Sequence, residues 1–233
     1  MIREININGR KIHYELTRKK VKNINMRISA DLVVKVSASS RVTIAEIERV
    51  ILKNAEFIFK AQDKYRKANE NMPAPLKYEN GEKIRIFGSD YPINVSVGKN
   101  EAFIKYNRFY LTVSDTDDFL LKEKITDAFL RQLVTEKITI WVDEIYPRFA
   151  NFTIPYPVIN FRKMKSRWGS CHIQKEKIVF NTELIHKSED FCRYVIIHEL
   201  THFIHPDHSK EFYDTVKLFM SNYKEVIEKE KQI

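Results

Sequence analysis

The sequence predicts an α+β fold, with a β-rich N-terminal part followed by a helical region built around one histidine-bearing helix. Three observations carry this. Up to Val113 the chain is dominated by short alternating segments separated by Gly, Asn and Asp turns. From Asp118 onward, longer amphipathic helical patterns take over. The stretch Val195–His208 then gathers four of the chain's seven histidines.

The elements follow in order. Residues 3–8 and 11–16 alternate on either side of Asn8-Gly9, a hairpin turn signal. Residues 23–29 and 32–37 flank Ala30-Asp31 and predict a second hairpin. Thr43 with Glu46 three residues on reads as a capping box, opening a helix that runs to about Asn69. Met72-Pro73-Ala74-Pro75 ends it. Residues 83–87, 91–97, 102–106 and 109–113 predict four short strands joined as consecutive hairpins. A long helix is expected from about Asp118 to Ala150, bent or ended by Pro147. Strands are expected over 157–163 and 177–180, with 166–172 as a turn or strand edge, before a helix capped by Ser188. No internal repeat is evident, although both halves carry strands followed by a helix. The expected regions are 1–72 (basic hairpins plus helix), 73–118 (β-rich) and 119–233 (the helical part with its small sheet).

Composition excludes several classes. At 233 residues, 43% apolar and 30% charged, the chain can bury a core without disulfides. No window approaches a membrane-spanning apolar run, and MIREININGRKIHYEL lacks the apolar core of a signal peptide, so a cytoplasmic location is expected. Cys171 and Cys192 form no metal-ligand pair and are expected as free thiols. The net charge of +9 is concentrated early: residues 1–71 carry 16 Lys+Arg against 8 Asp+Glu. That region is either an ordinary solvated surface or a patch for nucleic acid or nucleotides.

The chemistry lies in Val195-Ile196-Ile197-His198-Glu199-Leu200-Thr201-His202. Residues four apart share a helix face, so the His198 and His202 imidazoles can converge on one zinc ion. Glu199, one step round, can address water beside the ion without ligating it. Catalytic zinc takes three protein ligands and keeps one position open. Pro206 disfavours helical geometry at His205, so the chain should reverse there and return His208 to the metal. His208 also stands at the third spacing of H-E-x-x-H-x-x-G-x-x-H, with His205 in place of the glycine. His205 is the competing third ligand and is expected near the ligands or at the surface. Gly169 reads as a bulge or a close approach by another backbone, and Trp168 as a cleft wall.

With these residues in place, the chain resembles the YgjP-like metallopeptidase family, related to the SprT-like zinc proteases. The resemblance rests on Arg167-Trp168-Gly169-Ser170-Cys171, on Ile178-Val179-Phe180-Asn181 with Leu184, and on Tyr194 to Tyr213. Phe180 stands where leucine is usual, and Tyr213 where tryptophan is common. The resemblance implies a zincin-like metallopeptidase core, an active-site helix under a small sheet, with His198, His202 and His208 holding Zn2+ and Glu199 as general base. It implies a peptide or protein substrate. Some members are assigned nucleotide phosphohydrolase activity, so a metal-dependent nucleotide phosphohydrolase is an alternative, although no Gly-rich phosphate loop is present. A nucleic-acid-associated protein with a peptidase-like core is a third reading. Arg167, His205 and Tyr213 receive no fixed role.

Overall fold

The structure, a computed structural model, describes residues 2–7, 9–29, 31–70 and 75–231. Asn8, Ala30 and Met72-Pro73-Ala74, on which three turn or boundary expectations fall, lie outside the described residues. The chain divides into two compact units, Met1–Pro75 and Leu76–Ile233. Each has its own hydrophobic core.

In the first unit, β1 (Ile2–Ile7) and β2 (Arg10–Arg18) pair antiparallel, Gly9 taking the left-handed φ of 81° that the turn requires. β3 (Asn25–Ile28) and β4 (Val34–Ala38) form the second expected hairpin. β4 lies parallel to β2, so the sheet order is β1-β2-β4-β3. Thr43 caps α1 (Ile44–Lys53) through the capping box that the sequence predicts. The single long helix expected here is instead two, because the chain breaks at Asn54 before α2 (Ala55–Glu70). The Asn54 side-chain amide donates to the Val50 carbonyl at 2.8 Å, a local bond that competes with the helical ladder. Ile12, Tyr14, Val34, Val36, Ile47 and Ile51 form the centre of this core.

The second unit opens with β5 (Lys83–Ile86), β6 (Ser89–Val97), β7 (Glu101–Lys105) and β8 (Arg108–Val113). The expectation of consecutive hairpins holds for β5–β6 and β7–β8 and fails between β6 and β7. β8 inserts parallel to β6, giving the order β5-β6-β8-β7. The β6–β7 link crosses the end of β8 instead of turning back. Gly98 N–H donates to the Val113 carbonyl at 2.9 Å, and the Thr112 hydroxyl to the Lys99 carbonyl at 2.5 Å.

The two four-stranded sheets repeat one another. Their strand orders match, and both β2 and β6 are nine residues long and follow a positive-φ glycine, Gly9 and Gly88. The buried residues Val34, Val36 and Ala38 each recur 75 positions later as Phe109, Leu111 and Val113. The pair Asn25–Ser37 of the first sheet has its counterpart in Glu101–Thr112 of the second. Thr43 and Asp118, again 75 apart, cap the helices that follow, each accepting from the N–H three residues on. The strands followed by a helix that the sequence shows in both halves thus share one topology, although no repeat of residue identities accompanies it.

α3 (Phe119–Ile145) follows, passing into 3₁₀ geometry over Tyr146–Phe152 where Pro147 removes a backbone donor. A three-stranded sheet of β9 (Val158–Arg162), β10 (Gly169–His172) and β11 (Lys177–Asn181) has the order β10-β11-β9, with β10 at its edge. α4 (Glu189–Thr201), α5 (Lys210–Phe219) and α6 (Tyr223–Lys231) complete the fold. One core runs through this unit, from Ile84, Ile93 and Phe109 of the sheet through Val134 and Ile138 of α3 to Ile196 and Leu200 of α4. Residues 83–113 therefore pack into the same core as the histidine-bearing helix. Among the described residues, no helix is long and apolar enough to cross a membrane.

Candidate metal centre

The histidine-bearing helix α4 is fixed at both ends. Ser188 caps it by accepting from Phe191 N–H, and the Ser188 N–H and hydroxyl both donate to Glu230 Oε2 at 3.2 and 2.7 Å. Phe191, Cys192, Val195, Ile196, Ile197 and Leu200 are buried along its length. The helix stops at Thr201, earlier than the sequence suggests, with His202 as its C-cap. The Phe203, Ile204 and His205 N–H groups then donate to the Leu200 and Thr201 carbonyls, closing a tight turn before Pro206. Ser209 caps α5, so His208 sits at the junction between the reversal and the next helix.

The structure brings His198, His202 and His208 together, with one ring nitrogen of each within 4.8 Å of the others. His198 Nε2 and His208 Nε2 approach to 3.1 Å. Nitrogens bonded tetrahedrally to one ion at about 2.0–2.1 Å lie about 3.3 Å apart, so this donor set fits a single cation. Outer contacts set the ring orientations. His202 Nδ1 lies 3.2 Å from the His205 carbonyl, and His198 Nδ1 lies 3.4 Å from the Tyr194 hydroxyl. Each partner suits an Nδ1–H donor, which leaves Nε2 as the free electron pair. Burial, reinforced by the neighbouring His202 and His208, pushes the His198 pKa down to about 3, and burial lowers that of His202 as well. Neutral imidazole is the form that binds metal.

Glu199 is 5% exposed. Burial pushes its pKa up to about 7, against the opposing influence of the Cys171 backbone N–H and the Arg167 charge. Its Oε2 is buried and has no hydrogen-bond partner among the described residues. A buried carboxylate oxygen left open beside three converging imidazoles is the arrangement expected of a group that meets a water or substrate proton.

A cavity of about 460 Å³ opens onto these groups, lined by Trp168, Phe191, Tyr194 and Val195, by Arg167, and by Gly169 to Cys171 of the edge strand. Trp168 thus lines the cleft, and Arg167 is exposed beside it. His205 stays apart from the donor cluster, its Nε2 3.1 Å from the Thr215 hydroxyl. Tyr213 stacks on His208 and Tyr223, with ring centroids 6.2 and 6.0 Å away. Burial raises the Cys171 pKa to about 12, and Cys192 is fully buried with its thiol directed at the Leu184 carbonyl.

Sequence reasoning missed two supports. The buried Phe212 ring lies 4.8–4.9 Å, centroid to centroid, from all three imidazoles. Thr215 holds His205. Both stand on α5 beyond the motif, and only the apolar period of Lys210–Phe219 hinted that Phe212 faces inward. The sequence predicts a bulge or a second backbone close to Gly169; the group that stands against it is instead the Glu199 side chain.

Among solved structures, the chain is similar to the metallopeptidase zymogen jannalysin of Methanocaldococcus jannaschii, at 22% identity and a TM-score of 0.36, over 41% of this chain and 94% of that one. No curated protein matches it. The family model described as YgjP-like, metallopeptidase domain, matches residues 22–231, nearly the whole length. The chain belongs to the YgjP-like metallopeptidase family.

Proposed function

We propose that this metallopeptidase is zinc-dependent, with His198, His202 and His208 holding the ion and Glu199 acting as general base. The observation that carries the reading is the convergence of three imidazole nitrogens within 4.8 Å beside a buried carboxylate. An all-nitrogen set of three neutral imidazoles suits zinc and leaves one position open. When bound, the ion supplies Lewis-acid activation of water and of the scissile carbonyl.

The rest falls to the protein. Glu199, with a pKa near the working pH, accepts a proton from the attacking water and passes it to the leaving nitrogen as the C–N bond breaks. Trp168, Phe191, Tyr194 and Val195 give the cleft apolar walls that receive substrate side chains and exclude bulk water. These residues lie within 119–233, which we assign as the catalytic domain, with the 73–118 strands as its buttress and residues 1–72 as a separate basic region. A peptide or protein substrate follows from the family, and the comparisons lend no support to nucleic acid as a partner of that basic region.

The test is a side-by-side assay of wild type and Glu199→Gln on unfolded protein, peptides and nucleoside triphosphates. Metal-dependent peptide cleavage by wild type only, with equal metal content in both proteins, supports the reading. Phosphate release without peptide cleavage overturns it in favour of nucleotide hydrolysis.

A further inference from the structure

Gly169 stands on β10, the edge strand beside the cleft, and its lack of a side chain has a specific consequence. A methyl group at this position would lie 2.5 Å from Glu199 Oε1, 2.6 Å from its Cγ and 2.7 Å from its Cδ. Real contacts of that kind are not tolerated, so strand and carboxylate cannot both stay where they are if a Cβ is present. The backbone is not what demands glycine, since Gly169 lies outside the left-handed region occupied by Gly9, Gly81 and Gly88. The requirement comes from the Glu199 side chain.

The strand is not free to recede. Gly169 pairs with Phe180 of the buried β11, and Asn181 N–H donates to the Trp168 carbonyl at 2.9 Å. The Asn181 side-chain amide, itself buried, donates to the Met164 and Arg167 carbonyls at 2.9 Å each, and its oxygen accepts from Met164 N–H. The loop before β10 is therefore tied down at several points, and a side chain at 169 would displace Glu199 instead.

We infer that Gly169 is a positioning residue for the hydrolytic reaction: by presenting bare backbone it seats the Glu199 carboxylate against β10. The seat holds Oε1 on the side of Gly169, while Oε2 has no hydrogen-bond partner among the described residues. This rests on the reading of Glu199 as general base. An alanine at 169 pushes the carboxylate out of reach of the water it must deprotonate, and displacements of about 1 Å cost on the order of 100-fold in rate.

The experiment is a double-mutant cycle of Gly169→Ala and Glu199→Ala in the full chain, read by the thermal midpoint of the metal-free protein, with metal content and peptidase kinetics measured on the single variant. Gly98→Ala, whose added methyl meets only ordinary contacts of 3.5 Å with Thr112, serves as the control. The inference expects Gly169→Ala to lower the midpoint when Glu199 is present and to leave it unchanged when residue 199 is already alanine. It expects metal content to hold, kcat to fall at least about tenfold and KM to move little. If Gly169→Ala alone does not fold, rescue by Glu199→Ala supports the inference and failure of both overturns it. An equal loss of midpoint in both backgrounds overturns it, as does full kcat in Gly169→Ala. A wild-type chain without peptidase activity that still shows the coupling supports the seat and overturns the reading of Glu199 as base.

Discussion

The Phe212 ring lies 4.8 Å from the His202 ring, and it stands 4.9 Å from those of His198 and His208 as well. One fully buried aromatic side chain from α5 thus contacts all three imidazoles, two of which belong to α4 and its cap. Replacing it by leucine keeps the site apolar but removes the common surface. Phe212→Leu is expected to lower metal affinity by about 10–100-fold, as loss of an outer support does, measured by competition with a chelator. Phe212→Ala is expected to cost about 3–5 kcal/mol of stability as well, read by denaturant unfolding.

The His202 ring is oriented by the His205 carbonyl, and His205 in turn is held by the Thr215 hydroxyl. Thr215→Val keeps the shape and removes the hydroxyl. It is expected to weaken metal binding by about tenfold while leaving the fold intact, a smaller effect than His208→Ala, which removes a proposed ligand. Metal retention on dialysis against a graded chelator series ranks the two variants.

Glu199 gives a pH signature in the metal-free protein. Its pKa rises from 4.5 to about 7 on folding, chiefly through burial, so the native state holds its proton longer than the unfolded chain. Stability from this group is fully present below about pH 4.5 and is lost as pH rises through 7. Glu199→Gln removes the titration. The variant is expected to match wild type at pH 4 and to exceed it by about 3 kcal/mol at pH 8, in urea unfolding with chelator present.

Both thiols are expected to be quiet. Burial lifts the Cys171 pKa to about 12 and raises that of Cys192 too. At pH 8 the thiolate fraction is then minute, and a thiol-specific reagent should label the native protein at least about 100-fold more slowly than the unfolded one. Rapid labelling of native Cys171 would show that its side of the cleft is more solvated than described.

Local signals carried much of the fold and the heart of the site. Gly9 marked a hairpin through the φ that only glycine takes cheaply, and Thr43 with Glu46 marked a helix start through side-chain bonds three residues apart. His198, His202 and His208 were legible because helix periodicity and the chain reversal signalled by Pro206 are both local, although the helix itself ends earlier, at Thr201. Long-range relations were not. The parallel pairings of β2 with β4 and β6 with β8 depend on which strand edges meet after collapse, and no turn residue encodes that. The repeated module showed in the sequence only as strands followed by a helix in each half, because its counterparts, such as Ala38 and Val113 or Ile47 and Lys122, share burial without sharing identity. Gly169 hinted at a close approach, but only the packing of β10 against α4 identifies the approaching group as Glu199.

The proposal that three imidazoles hold one cation with no sulfur ligand is tested by X-ray absorption at the zinc edge of the loaded protein. One ion per chain is expected, with three imidazole nitrogens at about 2.0–2.1 Å and one further oxygen donor. A sulfur at about 2.3 Å, or a chain that takes up no zinc while its helices remain intact by circular dichroism, would contradict it.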